Sequence, residues 1–285
     1  MDKNYNELLL LLSGKTMSDE NFPVASFLIS KKKRKHIKNL YFFARASDDI
    51  ADNKQIDSNN KKKILREFDK MLNDRRIKSY GFINDLNESL IETKVSKIYP
   101  RKLLQAFLQD VKKNRYSNWV ELINYCDHSA SPIGRFVVDL YDKEDAVTQE
   151  KIYEGCDDLC NALQILNHIQ DCKDDFLELN RIYIPEDYFY LEKIKPEEFM
   201  HVENRKKFLN VKNKCLLGVE KLLKSTKEKI ILIKNPSLKK ETYVIYNIAK
   251  KLTKILMTND PIKKKLKLSR IDLIFCFFKG IIGRL

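Results

Sequence analysis

Residues 40–52 of this 285-residue chain set two carboxylates one helical turn apart inside an otherwise apolar pattern, and residues 163–176 do so again. In the first stretch Tyr41, Arg45, Asp48 and Asp52 recur at steps of four, three and four, which stacks them on one face of a helix. Phe42, Phe43, Ala46 and Ile50 between them are apolar, so this helix packs into a core. In the second stretch Gln164, Asn167, Asp171 and Asp175 recur at steps of three, four and four, amid Leu163, Ile165, Leu166, Ile169 and Phe176. Carboxylates one turn apart on a buried helix repel each other unless a cation or a basic partner intervenes. Two such helices can face one another across a cavity that holds the counterion.

The rest of the chain reads as helix too. Its 7 Gly and 7 Pro make about 5% of the residues, against roughly 12% in ordinary globular chains. So few breakers argue against a many-turned β-sandwich or barrel. Helical apolar spacing runs through 37–50, 64–72, 103–111, 119–125 and 133–140, and resumes in 152–176, 208–223 and 242–256. Breaks are expected at the polar run 53–60, around Tyr99-Pro100, at Ser131-Pro132, across 181–196, at Asn235-Pro236-Ser237 and at Asp260-Pro261. No stretch reads as a convincing strand, and neither a repeat nor a linker is visible. The expectation is an all-α fold, one domain spanning 1–285.

Charge narrows the partners. The net charge is +14, but it rests on 42 lysines and only 12 arginines. Nucleic-acid readers lean on Arg for bidentate contacts, and the runs 31–35 and 61–63 carry no interleaved aromatics for base stacking. No nucleic-acid partner is expected; a solvated lysine-rich surface, an anionic substrate or an anionic membrane surface fits better. The six cysteines (126, 156, 160, 172, 215, 276) form no Cys-x-x-Cys pair and read as buried apolar thiols, with neither a disulfide framework nor zinc expected. No run approaches the roughly 18 to 20 apolar residues of a membrane span. The start, MDKNYNELLLLLSGK, lacks a basic region and a small-residue cleavage site, so a cytoplasmic protein is expected.

The segment 261–285 holds seven Lys or Arg and one Asp. Ile271, Ile274, Phe275, Phe278, Ile281, Ile282 and Leu285 follow one helical stripe, with Asp272 and Lys279 off it. A basic amphipathic end of this kind either lies on an anionic bilayer, giving peripheral residence on the inner face of the membrane, or docks on its own domain as the last core helix.

All-oxygen donors suit Mg²⁺, which keeps some of its waters and shares its sphere with substrate phosphates. One Asp-x-x-x-Asp pair arises readily among 40 acidic residues. Two of them, both on apolar helices and both with polar groups one turn N-terminal, point to a joint metal site built for the departure of a diphosphate. Asp49 and Asp174 lie one step off these faces and are expected to support them. His128 and His168 have no partner at catalytic spacing and read as structural.

At these residues the chain resembles the squalene and phytoene synthase family of head-to-head isoprenoid enzymes. The resemblance rests on residues 41–52 (family pattern near Tyr-x-x-x-Arg-x-x-Asp-Asp-x-x-Asp), 167–175, Tyr125-Cys126, Pro132-Ile133-Gly134-Arg135 and Arg181-Ile182-Tyr183-Ile184-Pro185. Residues 21–26 and 268–272 look like the hydroxysqualene synthase branch of hopanoid pathways, so the likeness spans about 15–285. It implies an all-α isoprenoid-synthase fold around a central cavity. In that family likeness Asp48, Asp52, Asp171 and Asp175 would hold Mg²⁺, with Asn167 beside them. Arg45, Gln164, Gln170 and Arg181 would bind the diphosphate region, Asn21 would stand near the entrance, and Tyr41, Tyr125 and Tyr246 would line the cavity near a carbocation.

Two departures direct the choice of reaction. Condensing members commonly carry Arg before the third metal aspartate, where this chain has Gln170, and Ser-Phe-Ser where it has Asn21-Phe22-Pro23. Both look like the hydroxysqualene branch, whose substrate would be presqualene diphosphate, ionised once and captured by water. The alternatives are a squalene, phytoene or presqualene diphosphate synthase joining two prenyl diphosphates such as farnesyl diphosphate, and, from another class, a basic helical protein that binds membranes or nucleic acid.

Overall fold

The computed structural model describes residues 28–285. Among them the chain forms eleven α-helices: α1 (Lys31–Asp52), α2 (Ser58–Asn73), α3 (Gly81–Thr93), α4 (Ile98–Asp110), α5 (Trp119–Ser129), α6 (Ser131–Asp139), α7 (Ala146–Leu179), α8 (Glu186–Leu191), α9 (Arg205–Ile230), α10 (Pro236–Thr258) and α11 (Arg270–Ile281). Two 3₁₀ turns, Pro196–Glu198 and Val202–Asn204, lead into α9. The sole extended pairing among these residues is an isolated bridge between Arg115 and Ile182.

Local chemistry sets the boundaries. Asp57, Asn118, Asp145, Asn235 and Ser269 cap α2, α5, α7, α10 and α11, each accepting a backbone N–H of the first turn. Pro132 and Pro236 fall in first turns, where the missing N–H costs nothing, so both breaks read from the sequence are helix starts. Pro100 likewise sits in the first turn of α4, which therefore begins before the expected Tyr99-Pro100 break. Helix α3 was not among the expected elements; its apolar residues Ile83, Leu86 and Leu90 are buried against α1 and α2.

The 34-residue α7 is the axis of the molecule. It packs most extensively on α9 and also contacts α5, α6 and α10, while α1 packs on α3 and α4. Ala162, Ile165, Leu166 and Ile169 of α7 meet Phe208, Val211, Cys215 and Leu216 of α9 within one contiguous apolar core. Each fully buried Leu, Ile or Phe there contributes roughly 1.5–3 kcal/mol relative to exposure. All six cysteines are free, and five are buried, as the sequence suggests for apolar thiols.

The tail docks. Helix α11 lies on α10, where Cys276 packs with Val244 and Ile248. Gly280 makes the contact so close that an added Cβ would stand 2.5 Å from the Val244 backbone nitrogen. The apolar stripe read from the sequence is not the docked face; Ile271, Ile274, Phe275, Phe278 and Ile282 remain exposed. No helix among the described residues is long and apolar enough to cross a membrane.

Candidate active site

Between α1, α4, α6, α7 and α10 lies a cavity of about 400 Å³. Its two ends differ in chemistry. Leu103, Phe107, Val137, Leu159, Leu163 and Ile245 line the mainly apolar part, with buried Glu241 one turn before Ile245, whereas Asp48, Asp52, Asp171, Asp175, Arg45 and Arg181 line the charged part. Helical spacing produces this division: α1 directs Tyr41, Arg45, Asp48 and Asp52 inward, and α7 directs Gln164, Asn167, Asp171 and Asp175 inward, as the steps of three and four require. Both sequence-defined faces therefore meet the same space.

The carboxylates are short of positive charge. Burial and the neighbouring Asp52 push Asp48 well above the usual carboxylate range, although a third of its side chain stays open to the cavity. Burial and the Asp171 charge push Asp175 up to about 8. Three protein cations offset part of this. Arg45 bridges Asp48 at 3.1 Å and Asp49 at 2.8 Å. Lys265 reaches across from the segment before α11 to Asp171 at 2.7 Å and Asp174 at 3.5 Å. Arg181 donates to Asp52 at 3.0 Å.

Arg181 belongs to a buried cluster. It also donates to the Tyr183 hydroxyl at 3.0 Å and to the Asp110 carbonyl at 3.1 Å. Tyr125 and Tyr183 each donate to the Asp110 carboxylate, at 2.7 and 3.1 Å. Burial raises Asp110 to about 7 even with Arg181 beside it. Asn180, in the left-handed region at φ 51°, terminates α7 and turns the chain so that the next residue, Arg181, faces back into this cluster. The His168 ring lies stacked on Tyr183 with centroids 3.5 Å apart, and burial followed by the Arg181 charge lowers it to about 3, so the imidazole is neutral.

Of the sequence-predicted residues, Tyr41, Arg45, Asp48, Asp52, Tyr125, Gln164, Asn167, Asp171, Asp175 and Arg181 all line the cavity. Asn21 lies outside the described residues. Two expectations are corrected. Gln170 does not face the cavity; it sits about 100° round the helix from Asp171 and donates to the Leu266 carbonyl at 2.5 Å. There it fixes the segment that presents Lys265 to Asp171. Tyr246 is buried about 100° round α10 from the lining residue Ile245, and its ring lies under Lys250 at 5.7 Å. His168, expected to be merely structural, lines the cavity.

Sequence reasoning missed Asp110, Lys265 and the buried, cavity-lining Glu241, and quoted Tyr183 within a motif without giving it a role. A lone Asp among Leu103, Leu104 and Phe107 was the available signal for Asp110. Arg135, quoted as part of a motif, ties α6 to α7 through Asp157 at 2.6–3.0 Å.

The donor set fits a hard cation: every cavity carboxylate offers oxygen, and Asp48 and Asp175 lack full compensation. Among the described residues, no three His, Cys, Asp or Glu side chains converge as a ready-made cage. The carboxylates approach as pairs from opposite helices, an arrangement suited to an ion that completes its shell with water and phosphate oxygens.

The sequence pattern of the squalene/phytoene synthase family matches residues 16–272. The chain belongs to this family. It is 33% identical to the hydroxysqualene synthase of Zymomonas mobilis over 99% of this chain and 94% of that protein. It is 35% identical to that of Rhodopseudomonas palustris over 94% and 90%. Among solved structures, the squalene synthase of Alicyclobacillus acidocaldarius superposes with a TM-score of 0.72 at 21% identity, covering 88% of this chain and 92% of that one. A dehydrosqualene synthase gives 0.77 at 17% identity, covering 98% and 96%. The fold is thus the all-helical one of these squalene/phytoene synthase relatives, and the chain is an enzyme of isoprenoid biosynthesis acting on prenyl diphosphates.

Proposed function

We propose that this enzyme ionises presqualene diphosphate and lets water capture the rearranged cation, giving hydroxysqualene and diphosphate, in a hopanoid pathway. The observation that carries the reading is the division of one cavity into a carboxylate-lined end and an apolar end. A diphosphate beside these carboxylates calls for divalent cations, and the apolar walls of the other end suit a prenyl hydrocarbon chain. Asp48, Asp52, Asp171 and Asp175, with Asn167, are the residues that would hold Mg²⁺. When bound, that ion supplies the positive charge that stabilises the departing diphosphate.

The chain's own groups do the rest. Arg45 and Arg181 add fixed positive charge at the same end, preorganised by Asp49 and by Asp110, so little reorganisation accompanies bond cleavage. Lys265 lies on Asp171, within reach of an anion held there. Tyr41 and Tyr125 border the cavity and would offer aromatic surface to a carbocation. The apolar walls hold water back during rearrangement. Gln164 and neutral His168, 3.3 Å apart between their Nε2 atoms, are the polar pair between the two ends where a capturing water would be received. Identity above 30% to hydroxysqualene synthases over most of the chain supports the choice of reaction. The reading puts the enzyme in the cytoplasm at the inner face of the membrane, since substrate and product are lipids.

Diphosphate release tests it. Presqualene diphosphate should release diphosphate in the presence of Mg²⁺ and not in excess chelator, and farnesyl diphosphate alone should release none. Release from farnesyl diphosphate, with none from presqualene diphosphate, would make the enzyme a condensing synthase.

A further inference from the structure

The docked C-terminal helix leaves an apolar stripe uncovered. On α11, Ile271, Ile274, Phe275 and Phe278, together with Ile282 just beyond its end, are 56–79% exposed. Elsewhere among the described residues, exposed large apolar side chains are mostly scattered, which is ordinary. Five within twelve positions, on the face opposite the Cys276 and Gly280 contact with α10, form a continuous patch that a protein exposed only to water does not maintain without a use.

The rim of this patch is basic. Lys263, Lys264, Lys267 and Arg270 are exposed ahead of the helix and Arg284 after it. Asp272, the one acidic residue of the segment, is paired with Lys251 of α10 at 2.9 Å and accepts a hydrogen bond from Ser269. Burial, reinforced by the charges of Lys279, Lys227 and Lys254, lowers Lys250 on the adjoining α10. These four lysines, from α9, α10 and α11, therefore stand close enough together to act as one positive cluster. We propose that α11 is a bilayer-docking helix, lying in the headgroup plane of an anionic membrane with this stripe inserted and the lysines on lipid phosphates.

Charge and length select that occupant. A second copy seated on the same stripe would bring two equally basic rims together, which opposes self-association. Twelve residues of helix span about 18 Å, short of the roughly 30 Å hydrocarbon core, so the helix lies on the membrane instead of crossing it. Gly283, at φ +76°, ends the helix and lets the chain turn off the surface. The inference does not depend on which prenyl diphosphate the cavity accepts.

Flotation of the full chain with vesicles tests it without substrate. The protein should float with vesicles containing phosphatidylglycerol, float far less with pure phosphatidylcholine, and be released by high salt. Phe275→Glu with Phe278→Glu should weaken partition at least roughly tenfold, and Lys267→Glu with Arg270→Glu by about as much. Both double variants should keep the parental melting temperature and detergent-solubilised turnover, because none of the four residues touches the cavity or the docked face. Three outcomes would overturn the proposal: no flotation of the parent chain with anionic vesicles, undiminished flotation of both variants, or a parent dimer that the phenylalanine variant dissolves while flotation is unchanged.

Discussion

Arg181 binds α1, the end of α4 and the tyrosine cluster at once, so its removal has a calculable cost. Replacement by Met keeps the length and apolar stem but deletes the charge. Asp52 then loses its partner at 3.0 Å, and Asp110 loses the cation that holds its pKa down against burial. Breaking a buried pair by removing one partner costs about 3–5 kcal/mol, because the remaining charge is left uncompensated. At roughly 2–4 °C per kcal/mol, the usual scale for chains of 150–250 residues, Arg181→Met should melt about 6–20 °C below the parent near pH 8. The penalty should depend on pH with a definite sign. Asp110 has a folded-state value of about 7, above its unfolded one, so its carboxyl is protonated in the acid range and stability is lost as pH rises through about 7. Near pH 5 the variant has no ionised Asp110 to compensate, and the melting gap should narrow to that of the Asp52 pair alone. Scanning calorimetry in chelator at both pH values measures the gap. A gap under about 2 °C near pH 8, or one that is the same at both, would refute the assignment of Arg181 as the counter-charge of this cluster.

Other expectations follow from the same structure. Asp48→Asn and Asp171→Asn should each cut turnover by roughly 10²–10³-fold while keeping the circular dichroism spectrum and losing thermal stabilisation by Mg²⁺. Gly134→Ala should cost about 1–3 kcal/mol, since the new Cβ would stand 2.6 Å from Cys160 Sγ; urea unfolding should show most of that loss recovered in a Cys160→Ala background. Gly280→Val should also cost about 1–3 kcal/mol, here against the α10 backbone, and limited proteolysis should find the segment after residue 260 newly cleavable.

The two acidic faces were legible because α-helical phase is a property of spacing alone: residues three or four apart must share a side, and eight such residues all meet one cavity. Helix starts at Pro132 and Pro236 were legible as breaks for the related reason that proline is tolerated only in a first turn. What spacing cannot reveal is the partner across the fold. Asp110 and Tyr183 come together from segments seventy residues apart, and only the left-handed turn at Asn180 brings Arg181 between them. Gln170 shows the complementary failure. It adjoins a cavity aspartate in sequence, yet one residue is about 100° of helix, enough to turn it to the Leu266 carbonyl. Tyr246 was displaced from the cavity by the same rotation. For the tail, the stripe was correctly drawn, but α11 docks through small residues, Cys276 and Gly280, that carry little weight in a hydrophobic pattern. Close approach at a glycine, more than apolar bulk, decided which face was covered.

The central claim is that water, and not a second prenyl group, ends the reaction in this cavity. Incubation of the purified enzyme with presqualene diphosphate and Mg²⁺ in ¹⁸O-labelled water, without a nicotinamide, followed by mass spectrometry of the product, tests it most directly. Hydroxysqualene carrying one ¹⁸O is the predicted product. Unreacted presqualene diphosphate, with hydrocarbon or presqualene diphosphate formed instead from farnesyl diphosphate, would contradict it.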